Sequence, residues 1–407
     1  MQAIINNLEG ELRRNKLLLT SLLKITQAIN TNRNAAELFQ IYEFILTPYL
    51  GFDKILLYHA DINWEAVLHR NVDTRILQKL DVNKLLAPHT EVTLCNDLDT
   101  DLLLDFRYLI PVIHKERPLA YLLLGNIDTG NTELTKDEIG FLQTITNIIV
   151  VAIENKRLFK QQLEQESLKK DLEVAEQIQN MLIANQLPNN DKVKMMAIYK
   201  PHSTIGGDYY DYIQLNKDEF LLCMADVTGK GIGAALLMSN LQALVRAIAR
   251  ESSSLAYLVK RLNELLYDLT GGDRFVTFFV CRYNTQTRLL TYINAGHNPP
   301  VLTTAESLEL LTKGSTLLGV FDRLPKIVET TLYVPFASQL LIYTDGLTDI
   351  ENDKGENLGI DRVENFAKQH QNIPLTEFKS LFTQYFSNFK GKVNYTDDIS
   401  ILVCRFV

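Results

Sequence analysis

Phe220-LLCMA-Asp226-VTGKGI-Gly233 decides the reading of this chain. An apolar run of strand length ends on a carboxylate, and a glycine-rich turn opens directly into the helical pattern Gly233 to Glu251. The turn is neither G-x-G-x-x-G nor G-x-x-x-x-G-K-[ST], so dinucleotide-binding and Walker readings fail on spacing. It does set glycines at a helix N-terminus, where backbone N–H groups favour a phosphate or a water cluster.

The same grammar recurs around this stretch. Gly206-Gly207-Asp208 follows the strand pattern Lys194 to Lys200, Asp345-Gly346 ends Gln339-LLIYT, and Asp397-Asp398 precede the last strand, Ser400 to Phe406. Other strand patterns lie at Phe275 to Arg282 and Arg288 to Ala295, with Asn284 to Thr287 as a hairpin loop. An Asp beside Gly is ordinarily a turn. Carboxylates at separate strand ends, with no His or Cys spacing nearby, form a hard oxygen donor set that suits Mg²⁺ or Mn²⁺ over zinc.

Farther out, composition excludes several classes. The 407 residues are 46% hydrophobic and 22% charged, which argues against disorder and predicts more than one domain. A formal net charge of −8 disfavours nucleic acid and anionic membrane as partners. Cys95, Cys223, Cys281 and Cys404 stand far apart, the pattern of reduced, buried thiols in a cytoplasmic protein. No signal peptide pattern is visible, and the most apolar run, Ile148 to Ile153, is too short to span a bilayer.

The expected class is α+β in three segments. Residues 1–155 combine helical periodicity from Leu17 to Phe44 with strand patterns that include Lys54-ILLYHA-Asp61, Phe106 to His114 and Leu119-AYLLLG-Asn126. Thr135 and Glu138 read as a capping box opening a second long helix. Its apolar positions continue through Phe159, Leu163, Leu172, Ile178 and Leu182, predicting a coiled-coil connector over 156–188 that ends at Leu187-Pro188. Residues 189–407 form the strand-rich remainder. Arg246 and Arg250 read as solvated, and His297, past a strand end and before two prolines, as a turn stabiliser.

Ile205-GGDYYD-Tyr212, Ala225-DVTGKGIGAALL-Met238, Ala295-GHNP-Pro300, Tyr343-TDGLT-Asp349 and Thr396-DDISIL-Val403, in that order, resemble the PPM-type (type 2C-like) bacterial serine/threonine phosphatases of the SpoIIE/RsbU subgroup. The resemblance implies stacked antiparallel β-sheets flanked by helices. It also implies two Mn²⁺ or Mg²⁺ ions held by Asp208, Asp226, Asp345, Asp397 and the Val227 carbonyl, with Asp226 between them. Asp398 is assigned to the surround, and Thr228 stands where the subgroup commonly has Ser. The phosphate-clamping Arg and the His-linked proton donor of eukaryotic relatives have no counterpart here. The helix Ala175 to Pro188 resembles the subgroup's switch helix.

The N-terminal segment is similar to a GAF domain, chiefly over Leu119 to Asn126 and Leu134-TKDEIGFLQTITNIIVVAIE-Asn155. A small-molecule or protein signal and homodimerisation are implied there. The expected activity is metal-dependent hydrolysis of phosphoserine or phosphothreonine on a signalling partner such as an anti-sigma-factor antagonist. The alternative is a catalytically weak dimeric ligand-sensing scaffold in a partner-switching pathway.

Overall fold

The structure, a computed structural model, describes residues 2–60, 63–98, 100–114, 117–127, 134–184, 186–251 and 254–407. Asp61, at the end of a predicted strand, and Asn185, in the predicted connector, lie outside the described residues. The chain divides into two compact units, Met1–Glu166 and Ser167–Val407.

In the first unit, helices α1 (Gln2–Asn30) and α2 (Ala35–Phe44) precede strands β1 (Phe52–Ala60) and β2 (Trp64–Arg70). Short helices α3 (Thr74–Lys79) and α4 (Val82–Leu85) lead to β3 (Thr93–Leu94), β4 (Tyr108–His114) and β5 (Arg117–Ile127). The single helix expected up to Phe44 is therefore two. Asn32 takes φ +58° at the break, and the Asn34 side chain caps α2 by accepting from the Glu37 N–H.

The strands form one antiparallel sheet in the order β2-β1-β5-β4-β3. Alternation divides β1 cleanly: Ile55 and Leu57 pack with Tyr42, Ile145 and Ile149, while Leu56 and Tyr58 pack with Ile76, Val82 and Leu86 on the other face. Helix α5 (Lys136–Leu182) opens on the expected capping box. The Thr135 N–H donates to Glu138 Oε2 (2.9 Å), and the Glu138 N–H donates to Thr135 Oγ1 (3.4 Å). α5 continues unbroken past Glu166, so its last turns belong to the second unit.

The second unit is a sandwich. After β6 (Val193–Lys200), β7 (Tyr209–Gln214) and β8 (Glu219–Val227) come α6 (Ile232–Glu251) and α7 (Leu255–Thr270). Then follow β9 (Val276–Asn284), β10 (Leu289–Ala295), β11 (Val301–Thr303), β12 (Leu308–Leu310), β13 (Gly314–Ser315), β14 (Thr330–Tyr333) and β15 (Ser338–Tyr343). Helices α8 (Asp345–Thr348), α9 (Ile360–Gln369) and α10 (Leu375–Lys390) precede β16 (Ile399–Phe406). One sheet runs β13-β10-β9-β8-β7 with β14 also on β10, and the other runs β12-β11-β15-β16-β6. All pairings are antiparallel except β13 on β10.

Both faces of each sheet are covered, which is why β8 and β16 read as continuous apolar runs. Phe220, Leu222 and Met224 of β8 meet Leu402, Cys404 and Phe406 of β16 between the sheets. Leu221, Cys223 and Val227 face α6 and α7, and Ile399, Ile401 and Val403 face α9 and α10. By length and composition α6 is apolar enough to cross a membrane, yet Met238, Leu241, Val245 and Ile248 are buried in the unit's core.

Candidate active site

Side-chain alternation aims the acids. Even-numbered residues of β8 point between the sheets, so Asp226, its penultimate residue, emerges at one end of that inter-sheet layer. Leu340 and Ile342 of β15 also point inward, and Thr344 and Asp345 follow them directly. Asp397 and Asp398 lead into β16 beside β15, while Asp208 leads into β7 beside β8. Both sheets therefore deliver carboxylates to the same end of the sandwich.

Three glycines make the approach. A Cβ on Gly346 would lie 2.0 Å from the Asp398 carbonyl oxygen, and one on Gly206 would lie 2.5 Å from Asp398 Oδ2. A Cβ on Gly207 would lie 2.9 Å from the Val227 carbonyl oxygen. Any side chain at these positions would push the acid-bearing segments apart.

Asp398 itself serves as a cradle. Its Oδ1 accepts from the His202 N–H (2.7 Å) and its Oδ2 from the Gly207 N–H (2.6 Å). Thr344 is the second organiser. Its hydroxyl donates to Asp208 Oδ2 (2.8 Å) and accepts from the Ser400 N–H (3.0 Å). Neither role is visible from the sequence, because the partners lie far apart along the chain. The one hint is that Thr344 and Asp398 each adjoin an acid at a strand end.

Crowding shows in the titration of the acids. Burial, then Asp226 and Asp398, hold the Asp208 carboxyl well above the usual range. Burial, with Asp345, Asp397 and Asp398 following, pushes Asp226 up to about 7. Burial and then Asp397 and Asp349 raise Asp345. Asp226 thus stands electrostatically between Asp208 on one side and Asp345 with Asp397 on the other. Among the described residues, no three Asp, Glu, His or Cys side chains close on a single ion position. Like charges repel without a cation between them, and two of the acids are held by other partners, Asp208 by Thr344 and Asp397 by Lys230 at 3.0 Å. The donors are nevertheless all hard oxygens whose mutual repulsion a divalent cation would relieve, so the residues fit Mg²⁺ or Mn²⁺.

Other predicted positions resolve differently. Thr228 closes the turn after β8: its hydroxyl donates to the Phe275 carbonyl (3.0 Å) and accepts from the Phe275 N–H (3.1 Å). His297 is buried and stabilises its turn. Its N–H donates to Asn294 Oδ1 (2.8 Å), and Nδ1 lies 2.9 Å from the Thr277 hydroxyl. Burial pushes its imidazole down to about 3, so it stays neutral. Arg246 is half-exposed but also paired. It grips the fully buried Asp211 of β7 through Nε (2.7 Å) and Nη2 (3.0 Å), tying α6 to the strand that Asp208 opens. On α5, Ile178 is exposed, and the contact falls on the buried Gln179. Its amide donates to the Gly206 carbonyl (2.6 Å) and accepts from the Gly206 N–H (3.1 Å).

The sequence model of the family described as Stage II sporulation protein E (SpoIIE) matches residues 216–407. Residues 216–407 are therefore similar to a SpoIIE domain. Asp226, Asp345 and Asp397 lie within the matched residues, and Asp208 lies just before them. Phosphoserine phosphatase RsbU of Bacillus subtilis (strain 168) is 26% identical over 194 residues, covering 47% of this chain and 57% of that protein. Phosphoserine phosphatase RsbP of the same organism is 29% identical over 187 residues, covering 44% of this chain and 46% of that protein. The chain therefore spans about half the length of these curated relatives. The solved SiaA-PP2C domain of Pseudomonas aeruginosa superimposes with a TM-score of 0.54 at 20% identity, covering 60% of this chain and 99% of that one. That likeness establishes the fold.

Proposed function

We propose that the second unit is a metal-dependent phosphatase that hydrolyses phosphoserine or phosphothreonine on a signalling protein. The observation that carries this reading is the convergence of Asp208, Asp226, Asp345 and Asp397 from both sheets, with the first three raised by burial and by neighbouring acids. These four carboxylates and the Val227 carbonyl would hold two Mn²⁺ or Mg²⁺ ions. When bound, the ions supply Lewis acidity for in-line attack of water on phosphorus. Thr344 holds the Asp208 carboxylate in place, and Asp398 holds the loop that carries it. In the reaction the water oxygen forms a new P–O bond as the bond to the serine oxygen breaks. That oxygen takes up a proton and phosphate is released.

The likeness to the phosphoserine phosphatases RsbU and RsbP supports phosphoserine as the substrate class. A partner of the anti-sigma-factor-antagonist kind belongs to the same reading. The test is hydrolysis of a phosphoserine peptide by the Mn²⁺-loaded full chain, with and without chelator. No turnover with metal, or undiminished turnover after chelation, overturns it.

For the N-terminal unit the proposal is a GAF-like sensor that also pairs two copies of the chain. Its five-stranded antiparallel sheet, packed by the entry and exit helices on one face, supports this. So does a groove of about 930 Å³ between α1 and α5, lined by Ile29, Ile148, Val151, Phe159 and Leu163. Phe159 and Leu163 are exposed apolar residues on a helix face, as a coiled-coil seam requires before it is paired. Sedimentation of the full chain should give a dimer, and a monomer at micromolar concentration overturns the pairing. The four free, buried cysteines support a reducing, cytoplasmic setting.

A further inference from the structure

Lys230 lies in Gly229-Lys230-Gly231, where both glycines take positive φ, +96° and +72°. That backbone folds the lysine across the end of β8. Its Nζ reaches 3.0 Å from Asp397 Oδ2 and also donates to the Thr396 carbonyl. Its charge is felt by Asp226 and Asp345 as well, opposing the rise that burial and crowding cause in both. One ammonium therefore serves as a built-in cation for three of the four acids.

Two features make that cation displaceable. The Lys230 side chain is 51% exposed, and it is a compact charge on a flexible four-carbon stem. The loop beneath it is braced from another direction. Arg274 Nη1 reaches the Thr228 carbonyl at 3.5 Å, and a Cβ on Gly229 would lie 2.7 Å from that nitrogen. The loop can thus keep its shape while the lysine side chain moves.

We propose that Lys230 is a displaceable counter-ion, yielding Asp397 to a divalent cation and then contacting the phosphoryl oxygens of the substrate. A divalent ion outcompetes a single ammonium for a carboxylate that other acids surround, because each of those acids adds its own attraction. The released ammonium remains tethered at the rim of the cluster, where an arriving phosphoryl group brings negative charge. Lysine serves there as a point charge on phosphate oxygens. The proposal rests on the phosphatase reading above and supplies the phosphate contact that the sequence left unassigned.

The test uses the full chain with Lys230→Met and Lys230→Arg. Calorimetric Mn²⁺ titration without substrate should show Lys230→Met binding about two- to fivefold more tightly than wild type, as expected for removing a half-exposed competing pair. Calorimetric binding of inorganic phosphate to the Mn²⁺-loaded protein should weaken about tenfold in Lys230→Met, the worth of one charge-assisted hydrogen bond. KM for a phosphoserine peptide should rise in parallel with kcat little changed, and Lys230→Arg should recover phosphate binding. Weaker Mn²⁺ binding in Lys230→Met would overturn the counter-ion role, and unchanged phosphate binding would overturn the contact. If wild type fails to hydrolyse the peptide, the phosphatase reading falls, while the two binding titrations still decide the role of Lys230.

Discussion

Strands β1 and β8 are built alike and end differently. Each is buried on both faces, each lies inside an antiparallel sheet, and each carries an ionisable residue near its C-terminal end. On β1 that residue is His59, whose Nε2 faces Glu154 of α5 at 3.6 Å. Glu154 is also held by Arg157 through two hydrogen bonds, and its carboxyl sits below the ordinary range for that reason first. On β8 the residue is Asp226, and its neighbours are other acids that the charge of Lys230 offsets only in part. The first arrangement relieves buried charge with opposite charge, whereas the second stacks like charge where nothing but a cation can relieve it. Electrostatic stress that the fold leaves unrelieved marks the working end of the molecule.

The strongest way to break that contrast is Asp226→Asn. If the cluster exists to hold cations, phosphoserine hydrolysis should fall by at least about a hundredfold. The metal-free protein should at the same time become more stable at pH 8, because a carboxylate raised to about 7 is held ionised there against its surroundings. A gain on the order of 1–3 kcal/mol is expected. Glu154→Gln, the counterpart in the first unit, should instead lower stability. Thermal melts in chelator compare the two, and a loss of metal-free stability in Asp226→Asn would put the two sites in one class.

The next test concerns a pair inside the second unit that resembles the first unit's solution. Asp211 is fully buried and is held by Arg246, by the Tyr209 hydroxyl (2.6 Å) and by the Tyr212 N–H (2.8 Å). Arg246→Met leaves the carboxylate without its cation and should cost roughly 3 kcal/mol in chemical denaturation. Asp211→Asn in the same background should recover part of that loss. A neutral result for Arg246→Met would mean the tyrosine and amide partners suffice.

How much of this was legible beforehand follows from the range of each interaction. Asp208, Asp226, Asp345 and Asp397 could be singled out because a strand end, an acid and a small residue are neighbours in sequence. Thr344 and Asp398 act across 136 and 191 residues, on Asp208 and Gly207, and such pairings leave no local trace. Arg246 read as solvated because Asp211 lies 35 residues away on another element. Helices α9 and α10 went unread. Their aromatic residues, Phe366, Phe378, Phe382 and Phe386, pack together with β16 on the outer face of its sheet. The interrupted helix before Phe44 was missed because Asn32 and Asn34, which break and restart it, look like ordinary polar positions in a helical pattern.

His297 sharpens the contrast through pH. Its imidazole is buried, neutral and depressed to about 3, against an ordinary value of 6.5. The unfolded chain therefore takes up a proton below pH 6.5 that the folded chain refuses. Stability from this residue is fully present above pH 6.5 and falls by up to about 1.4 kcal/mol per pH unit on the way toward 3. His297→Asn should flatten that part of the pH–stability curve, whatever its effect at pH 8. Equal slopes for wild type and variant between pH 6.5 and 5 would show that the ring titrates normally.

The smallest expected effect concerns Gln179, and it tests whether the helix touches the site or merely precedes it. The sequence marked Ile178 as one of the apolar positions of this helix, and the buried contact to the loop is made by the amide next to it. Gln179 satisfies both the N–H and the C=O of Gly206, two residues before Asp208, so any shift of this turn of α5 must drag or release that loop. Gln179→Leu fills similar space but leaves both backbone groups unpaired, at a cost of about 1–3 kcal/mol. If that strain reaches Asp208, Mn²⁺ affinity should drop by about threefold to tenfold while the exposed Ile178→Gln stays near wild type. A Gln179→Leu variant that melts lower yet titrates Mn²⁺ identically would make the contact a structural tether. A variant that changes both would make this turn of the helix the place where a signal could act on the acids.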